Sequence, residues 1–396
     1  MRLFFLFSIL SMNFFIIIST LFKNVLFLNI DSGYYIFIVS TGVITIFYAL
    51  YIILKKQEIT MSLILLLLII TIVTCSFTLS IHKGEELSSN NFIFFTMWAI
   101  PAAICGIYIR YLKKDRVLKF FKSIFFIFSI SIILIILVPY ILGSLPAYIN
   151  FGLMNYQNVS YISAFTIGIG LYFITEKYTR FKLLYIFLIG LLIPVIFISG
   201  GRGGAVLLII YILTTILMTL KNQNVSFFKK LMINTMVLVF SVFAIFFVIK
   251  SGNTRTFSYI SNGKISLEGT SGRGEIYSTV ISLIEDKPLT GYGLFNYYHF
   301  IHTIPHNIVL EILLAFGIVG LFVISIFMFV ILYHFIKNYD SNSLDRIVIF
   351  IGLYPITYLM FSANFLIVSE LWFVLFYMIS NRKKVDGYGE KELYKR

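Results

Sequence analysis

Residues 60–81 read TMSLILLLLIITIVTCSFTLSI, without one charged side chain. An α-helix rises about 1.5 Å per residue, so this stretch is long enough to cross a hydrocarbon core of about 30 Å. It shows no polar–apolar alternation, which speaks against a strand of an outer-membrane barrel. Apolar runs of similar reach recur at 3–22, 33–54, 92–112, 120–142, 158–175, 182–199, 203–220, 231–250, 307–335, 346–363 and 366–381. The composition agrees: 59% hydrophobic residues and a mean hydropathy of +0.96 lie far outside the soluble range. The chain therefore reads as an all-α, polytopic integral membrane protein with about twelve transmembrane helices. One large extracytoplasmic loop, 251–306, holds a short amphipathic helix. Residues 1–381 make a single transmembrane domain and 382–396 a charged cytoplasmic tail. The first run follows Arg2 directly and has no small-residue cleavage site, so it reads as a retained span rather than a signal peptide.

A net charge of +14 points to nucleic acid in a soluble protein. Here its placement carries a different meaning. Lys55 and Lys56 fall in one connection; Arg110, Lys113, Lys114, Arg116, Lys119 and Lys122 fall in another. Lys177, Arg180 and Lys182, then Lys221, Lys229 and Lys230, then Lys337 and Arg346 continue the series, and the tail closes it. Most of the 31 basic residues thus lie on alternate connections. The positive-inside rule makes that side cytoplasmic, with both termini inside. The partner implied is a lipid bilayer, with no nucleic acid. Cys75 and Cys105 sit in or near apolar runs and read as packing residues. Zinc spacings, Walker loops and dinucleotide fingerprints are absent, so no cofactor is expected.

The same alternation places two arginine-bearing glycine motifs outside. Ser199-Gly200-Gly201-Arg202-Gly203-Gly204 turns between two spans. Ser271-Gly272-Arg273-Gly274-Glu275 lies in the long loop. Ile276, Val280, Leu283 and Ile284 then recur at helical spacing, predicting an amphipathic helix over about 272–286 with Ser271 as its cap. Arg273 falls in the first turn, where free N–H groups favour an anion. Lys287-Pro288 stops the helix and Gly291-Tyr292-Gly293 makes a tight turn. Tyr297, Tyr298 and Phe300 supply flat faces, suited to a sugar path or to an ordinary interfacial belt.

Pro305-His306-Asn307 closes the loop at the mouth of the tenth span. Asn307 is a candidate helix cap, and the helix terminus disfavours a positive imidazole, leaving His306 neutral and able to accept a proton. Glu311, one turn further, is an intramembrane carboxylate that needs a partner; holding His306 or an arginine is one such role. Glu275 is placed to orient Arg273. Snorkelling remains an alternative for Arg202. His299, His302 and His306 fit no regular helix face and have no carboxylate next to them in sequence, so no metal site is read from them.

Taken in order, these motifs resemble the O-antigen polymerase and ligase superfamily of integral membrane glycosyltransferases. The correspondence rests on Ser199 to Gly204 between two spans and on Gly272-Arg273-Gly274-Glu275 in the outer loop. Pro288-Leu289-Thr290-Gly291-Tyr292-Gly293, Pro305-His306-Asn307, and Leu310-Glu311 running to Gly317-Ile318-Val319-Gly320 complete it. It covers about residues 195–325; elsewhere the agreement is hydrophobicity alone. The resemblance implies glycans on undecaprenyl pyrophosphate as donor and acceptor. It also implies metal-independent inverting transfer at the outer face of the bacterial inner membrane, beside a flippase and a chain-length regulator. Arg202, Arg273 and His306 are then the catalytic candidates, with Arg202, Arg273, Glu275, Asn307 and Glu311 binding substrate. Polymerisation of repeat units into O-antigen or capsule is the favoured activity, because the outer connections are modest. Ligation to lipid A core is the alternative within the superfamily. A flippase or exporter for the same lipid-linked glycan is the rival from another class, and predicts charges deep in many spans and paired repeats.

Overall fold

A computed structural model describes residues 2–57, 59–146, 148–176, 181–221, 273–339 and 343–380, with short pieces at 235, 239, 260–261 and 264–265. The helices, in chain order, begin with α1 (Arg2–Phe7), α2 (Ser11–Val25), α3 (Tyr34–Lys56) and α4 (Met61–Leu79). The next five are α5 (Glu86–Tyr111), α6 (Lys114–Ile141), α7 (Tyr156–Thr175), α8 (Lys182–Ser199) and α9 (Arg202–Lys221). After the long loop come α10 (Arg273–Asp286), α11 (Tyr298–Ile301), α12 (Ile308–Asn338), α13 (Ser343–Phe361) and α14 (Ser369–Ser380). Strand pairing among the described residues is a two-residue antiparallel ladder, Ile260–Ser261 with Lys264–Ile265, so the fold is all-α.

Among the described residues nine helices are long and apolar enough to cross a membrane, and α2 and α14 are shorter apolar helices. The expected span at 231–250 lies outside the described residues except for positions 235 and 239. The first expected span is interrupted: residues 8–10 form a turn between α1 and α2, with Ile9 N–H bonded to the Leu6 carbonyl at 3.2 Å. The Ile9 carbonyl accepts from Ser369 Oγ at 3.1 Å. A helix break is tolerated at membrane depth when protein groups satisfy the freed backbone in this way.

α7 lies at the centre. Of its apolar window 89% is buried, and it packs against α6, α8, α9 and α13. α4 and α12 are peripheral, with 17% and 22% of their windows buried. Leu67 and Leu68 on α4, and Phe322 and Phe329 on α12, are exposed. Such faces suit lipid and would be untenable in water. Of the prolines inside spans, Pro101 and Pro139 each follow a wide π-turn, Phe95–Ala99 and Ile133–Leu137. The wide turn absorbs the missing N–H and the clash with the carbonyl four residues earlier.

The two ends of the bundle differ in chemistry. At one end Arg346 pairs with Glu176 at 2.9 Å, and Arg110 donates to the Ser380 carbonyl at 2.7 Å. These groups close α13, α7, α5 and α14 on the side the basic connections occupy. The opposite end carries the starts of α7, α9 and α12, where the glycine motifs and His306 lie.

α12 is the element that shapes that end. It breaks at Gly317, with φ 63° and ψ −166°, a conformation essentially restricted to glycine. The break frees backbone groups on both sides, and the Pro288–Gly293 segment crosses there to meet them. Tyr292 N–H donates to the Leu314 carbonyl at 2.7 Å and Gly293 N–H to Ala315 at 2.9 Å. In return, Ile318 N–H donates to Pro288 at 2.8 Å and Val319 N–H to Leu289 at 3.3 Å. Gly291, at φ 64°, completes the crossing, since a Cβ there would meet the Leu314 carbonyl at 2.5 Å. Two motifs far apart in reading, Pro-Leu-Thr-Gly-Tyr-Gly and the Gly317–Gly320 pair, are therefore one backbone joint.

Candidate functional site

The glycines around Arg202 are explained first by packing. The turn from α8 to α9 is set by Gly200 in the left-handed region, φ 73°. It then presses on α7: Ser160 Oγ donates to the Gly201 carbonyl at 2.5 Å. A Cβ on Gly204 would collide with the Ser160 main chain, and one on Gly203 with the Tyr161 hydroxyl. Small residues are what let two helix backbones approach so closely in a membrane. Arg202 is the one large side chain in this run. It stands half-buried at the start of α9 and engages in interactions there.

Arg273 opens α10, as the periodicity predicts, and is half-buried. The expected cap Ser271 lies outside the described residues. Val280 is buried, and Ile276, Leu283 and Ile284 pack on the core, so the apolar stripe lays α10 against α12. The Arg273 charge bears on two groups, the His306 ring and the Tyr161 hydroxyl. Since Tyr161 also covers Gly203, next to Arg202, the two arginine motifs and the histidine motif converge on one corner of the bundle.

His306 itself sits at φ 55°, a left-handed conformation unusual for a residue with a side chain. Its Nδ1 is buried and has no hydrogen-bond partner among the described residues. Burial holds the imidazole below its ordinary value, and the Arg273 guanidinium pushes in the same direction; the Ser362 main chain beside the ring opposes them. Burial and the Arg273 charge thus favour the neutral ring, in the same direction as the expected effect of the helix terminus. Asn307 acts as the cap of α12: its Oδ1 accepts from Val309 N–H at 2.9 Å and Leu310 N–H at 3.2 Å.

Three expectations are corrected. Among the described residues no hydrogen bond or ion pair joins Glu311 to His306 or to an arginine. It is fully buried and accepts from the Tyr297 hydroxyl at 2.7 Å and from Asn364 Nδ2. Asn364 also donates to the Tyr298 hydroxyl. The carboxylate is costly to leave alone at that depth, and this ring of hydroxyl and amide groups is its partner. Tyr297 and Tyr298 are consequently buried and line no open path, while Phe300 remains 42% exposed. Glu275 is exposed, and no ion pair joins it to Arg273 among the described residues.

The three histidines of the loop do not form one set. His306 belongs with Arg273, whereas His299 stacks on His82 from the α4–α5 connection, ring centroids 3.9 Å apart. Sequence reading missed Tyr161, Ser362 and Asn364 around the site. Each is a polar residue in or beside an apolar span, which is the available signal, but no spacing ties them to the loop motifs.

An all-α bundle with nine helices, among the described residues, long and apolar enough to cross a membrane defines the class as polytopic integral membrane proteins, and here the arginine and histidine motifs lie at one end of it. Residues 187–325 match the family model described as O-antigen ligase. The match and the motif order agree on the O-antigen polymerase and ligase superfamily, whose members are membrane glycosyltransferase-type enzymes. It runs from within α8 into α12 and contains Arg202, Arg273, His306, Glu311 and the Gly317 break. Searches among curated proteins and among solved structures each found no match.

Proposed function

We propose that the protein is a polymerase of undecaprenyl-pyrophosphate-linked oligosaccharide repeat units. It builds a cell-surface polysaccharide at the outer face of a bacterial inner membrane, with both termini cytoplasmic. The observation that carries this reading is the convergence of Arg273 on His306, whose buried Nδ1 has no hydrogen-bond partner among the described residues. His306 takes the proton from the attacking sugar hydroxyl. That oxygen bonds to the anomeric carbon of the donor from the face opposite the leaving group, so configuration inverts. The glycosidic C–O bond to pyrophosphate breaks, and its electron pair leaves with the pyrophosphate. Arg273 and Arg202 stabilise the charge that builds there through charge-assisted contacts, each worth about 1.5–3 kcal/mol. Departure of pyrophosphate needs no carboxylic acid, and Glu311 Oε1 is engaged by Tyr297 and Asn364.

The matching family is described as a ligase, and this favours a second reading in which the acceptor is lipid A core. Both readings share the chemistry and differ in acceptor. The exporter alternative predicts charges deep in many spans. Among the described residues the buried carboxylates, Glu311, Asp345 and Glu370, each lie in the first turn of a helix, and Glu370 is held by Asn13 at 2.7 Å. The test is transfer by purified protein from a defined undecaprenyl-pyrophosphate repeat unit, wild type against His306→Ala. A ladder of longer lipid-linked glycans from wild type alone supports the polymerase. Product only when lipid A core is supplied supports the ligase, and transfer by His306→Ala at the wild-type rate removes the base.

A further inference from the structure

A second cluster of chemistry-bearing side chains stands apart from the arginine corner. His82 and Glu85 come from the α4–α5 connection and His299 from α11. The Glu85 Oε1 oxygen lies 2.5 Å from His299 Nδ1 and 3.4 Å from His82 Nδ1. One ligand atom from each of the three residues lies within 4.8 Å of the other two. From this geometry we infer that His82, Glu85 and His299 form a binding site for a divalent transition metal ion of the zinc type.

Two imidazole nitrogens and a carboxylate oxygen suit zinc, with an open fourth position for water. A tetrahedral ion holds its ligand atoms about 3.3 Å apart, so the His82 and His299 rings, stacked 3.9 Å apart, turn toward a shared centre when it binds. The cluster is also pre-organised. The two segments that bring the ligands together are already fastened by other contacts. Ser80 Oγ hydrogen-bonds to Asn296 Oδ1 at 2.6 Å, and Ser88 Oγ donates to the Phe295 carbonyl at 2.8 Å. Phe77 and Phe92 stack at 4.1 Å and both meet Phe295 edge-on. The ligands therefore hang on a rigid frame, which a metal site requires. His82 and Glu85 are partly exposed and His299 is exposed, so an ion can reach them from solvent.

The consequence is mechanical. An ion here pins the α4–α5 connection to the segment that runs on to His306. It orders the outer face without entering glycosyl transfer, and the inference does not depend on the polymerase reading. The experiment uses full-length protein in detergent, stripped with chelator, then titrated with Zn2+ by calorimetry and analysed for bound metal after desalting. Wild type should retain about one ion per chain. The His82→Ala/His299→Ala double variant should retain none, and Glu85→Gln should bind at least about tenfold more weakly. His302→Ala, whose ring centroid lies 6.3 Å from that of His299, should bind as wild type does. Thermal unfolding of the stripped variants should match stripped wild type, showing that they fold. Equal zinc retention by wild type and double variant, or no retention by wild type, overturns the site.

Discussion

Gly317→Ala tests the backbone joint that builds the outer end of the bundle. The substitution meets two penalties. At φ 63° and ψ −166° a residue with a Cβ is strained by about 2 kcal/mol. The new Cβ also collides with the Leu289 carbonyl and meets Thr290 N at 2.6 Å, and both are backbone atoms that cannot swing away. Relief requires the Pro288–Gly293 segment to lift off α12. Four hydrogen bonds cross that contact, from Tyr292, Gly293, Ile318 and Val319 N–H groups. Each is worth about 1 kcal/mol net. Strain plus a backbone clash of about 2 kcal/mol destabilises the closed joint by about 4 kcal/mol, or about a thousandfold in the local opening equilibrium. Hydrogen–deuterium exchange in nanodiscs reads this directly, because those four amides should exchange about a thousandfold faster while amides in α7 keep their protection. Gly33→Ala is the control, since nothing lies within 4 Å of a Cβ there. Wild-type protection of residues 288–293 in Gly317→Ala would refute the joint.

Other consequences are independent of it. Arg273→Lys should impair transfer while the protein still inserts, because lysine cannot offer the planar fork; wild-type turnover would remove the pyrophosphate clamp. Arg273→Gln should let the His306 value rise, so the acid limb of the pH–rate profile moves to higher pH, and an unmoved limb would separate the two residues. The same sign applies to stability. The folded state holds His306 below its ordinary value, so the unfolded chain takes up the proton first. The His306 contribution is present above about pH 6.5 and is lost as pH falls through the folded value, and His306→Asn should flatten that part of a melting-temperature profile. Tyr297→Phe should cost about 1–3 kcal/mol by stripping a donor from buried Glu311, whereas Glu311→Gln, which can still accept, should cost less in the same thermal assay. A reporter placed in 251–272 should appear on the extracytoplasmic side, and cytoplasmic signal would invert the proposed topology.

Much of the architecture was legible in the chain because lipid imposes a one-dimensional constraint. A charge-free run such as 60–81 has few ways to satisfy its backbone other than as a helix, so α4 appears where the composition changes. Local geometry was readable for the same kind of reason. The stripe Ile276, Val280, Leu283 and Ile284 yields α10, and Asn307 caps α12 through contacts only a few residues long.

Contacts across long separations were decided by the tertiary structure alone. Glu311 reads as a neighbour of His306 in sequence, yet it turns inward to Tyr297 and Asn364, because a buried carboxylate takes whichever donors the packed helices present. His82 and Glu85 carry no mark that ties them to His299, and their meeting depends on where the α4–α5 connection docks. The glycines beside Arg202 look like part of a binding loop, but packing on Ser160 and Tyr161 explains them. Sequence by itself determined which segments are apolar enough to form membrane-length helices, since hydrophobic length is a property of each segment. Only the folded bundle decided which polar groups share a pocket, since that depends on how separate helices pack in three dimensions.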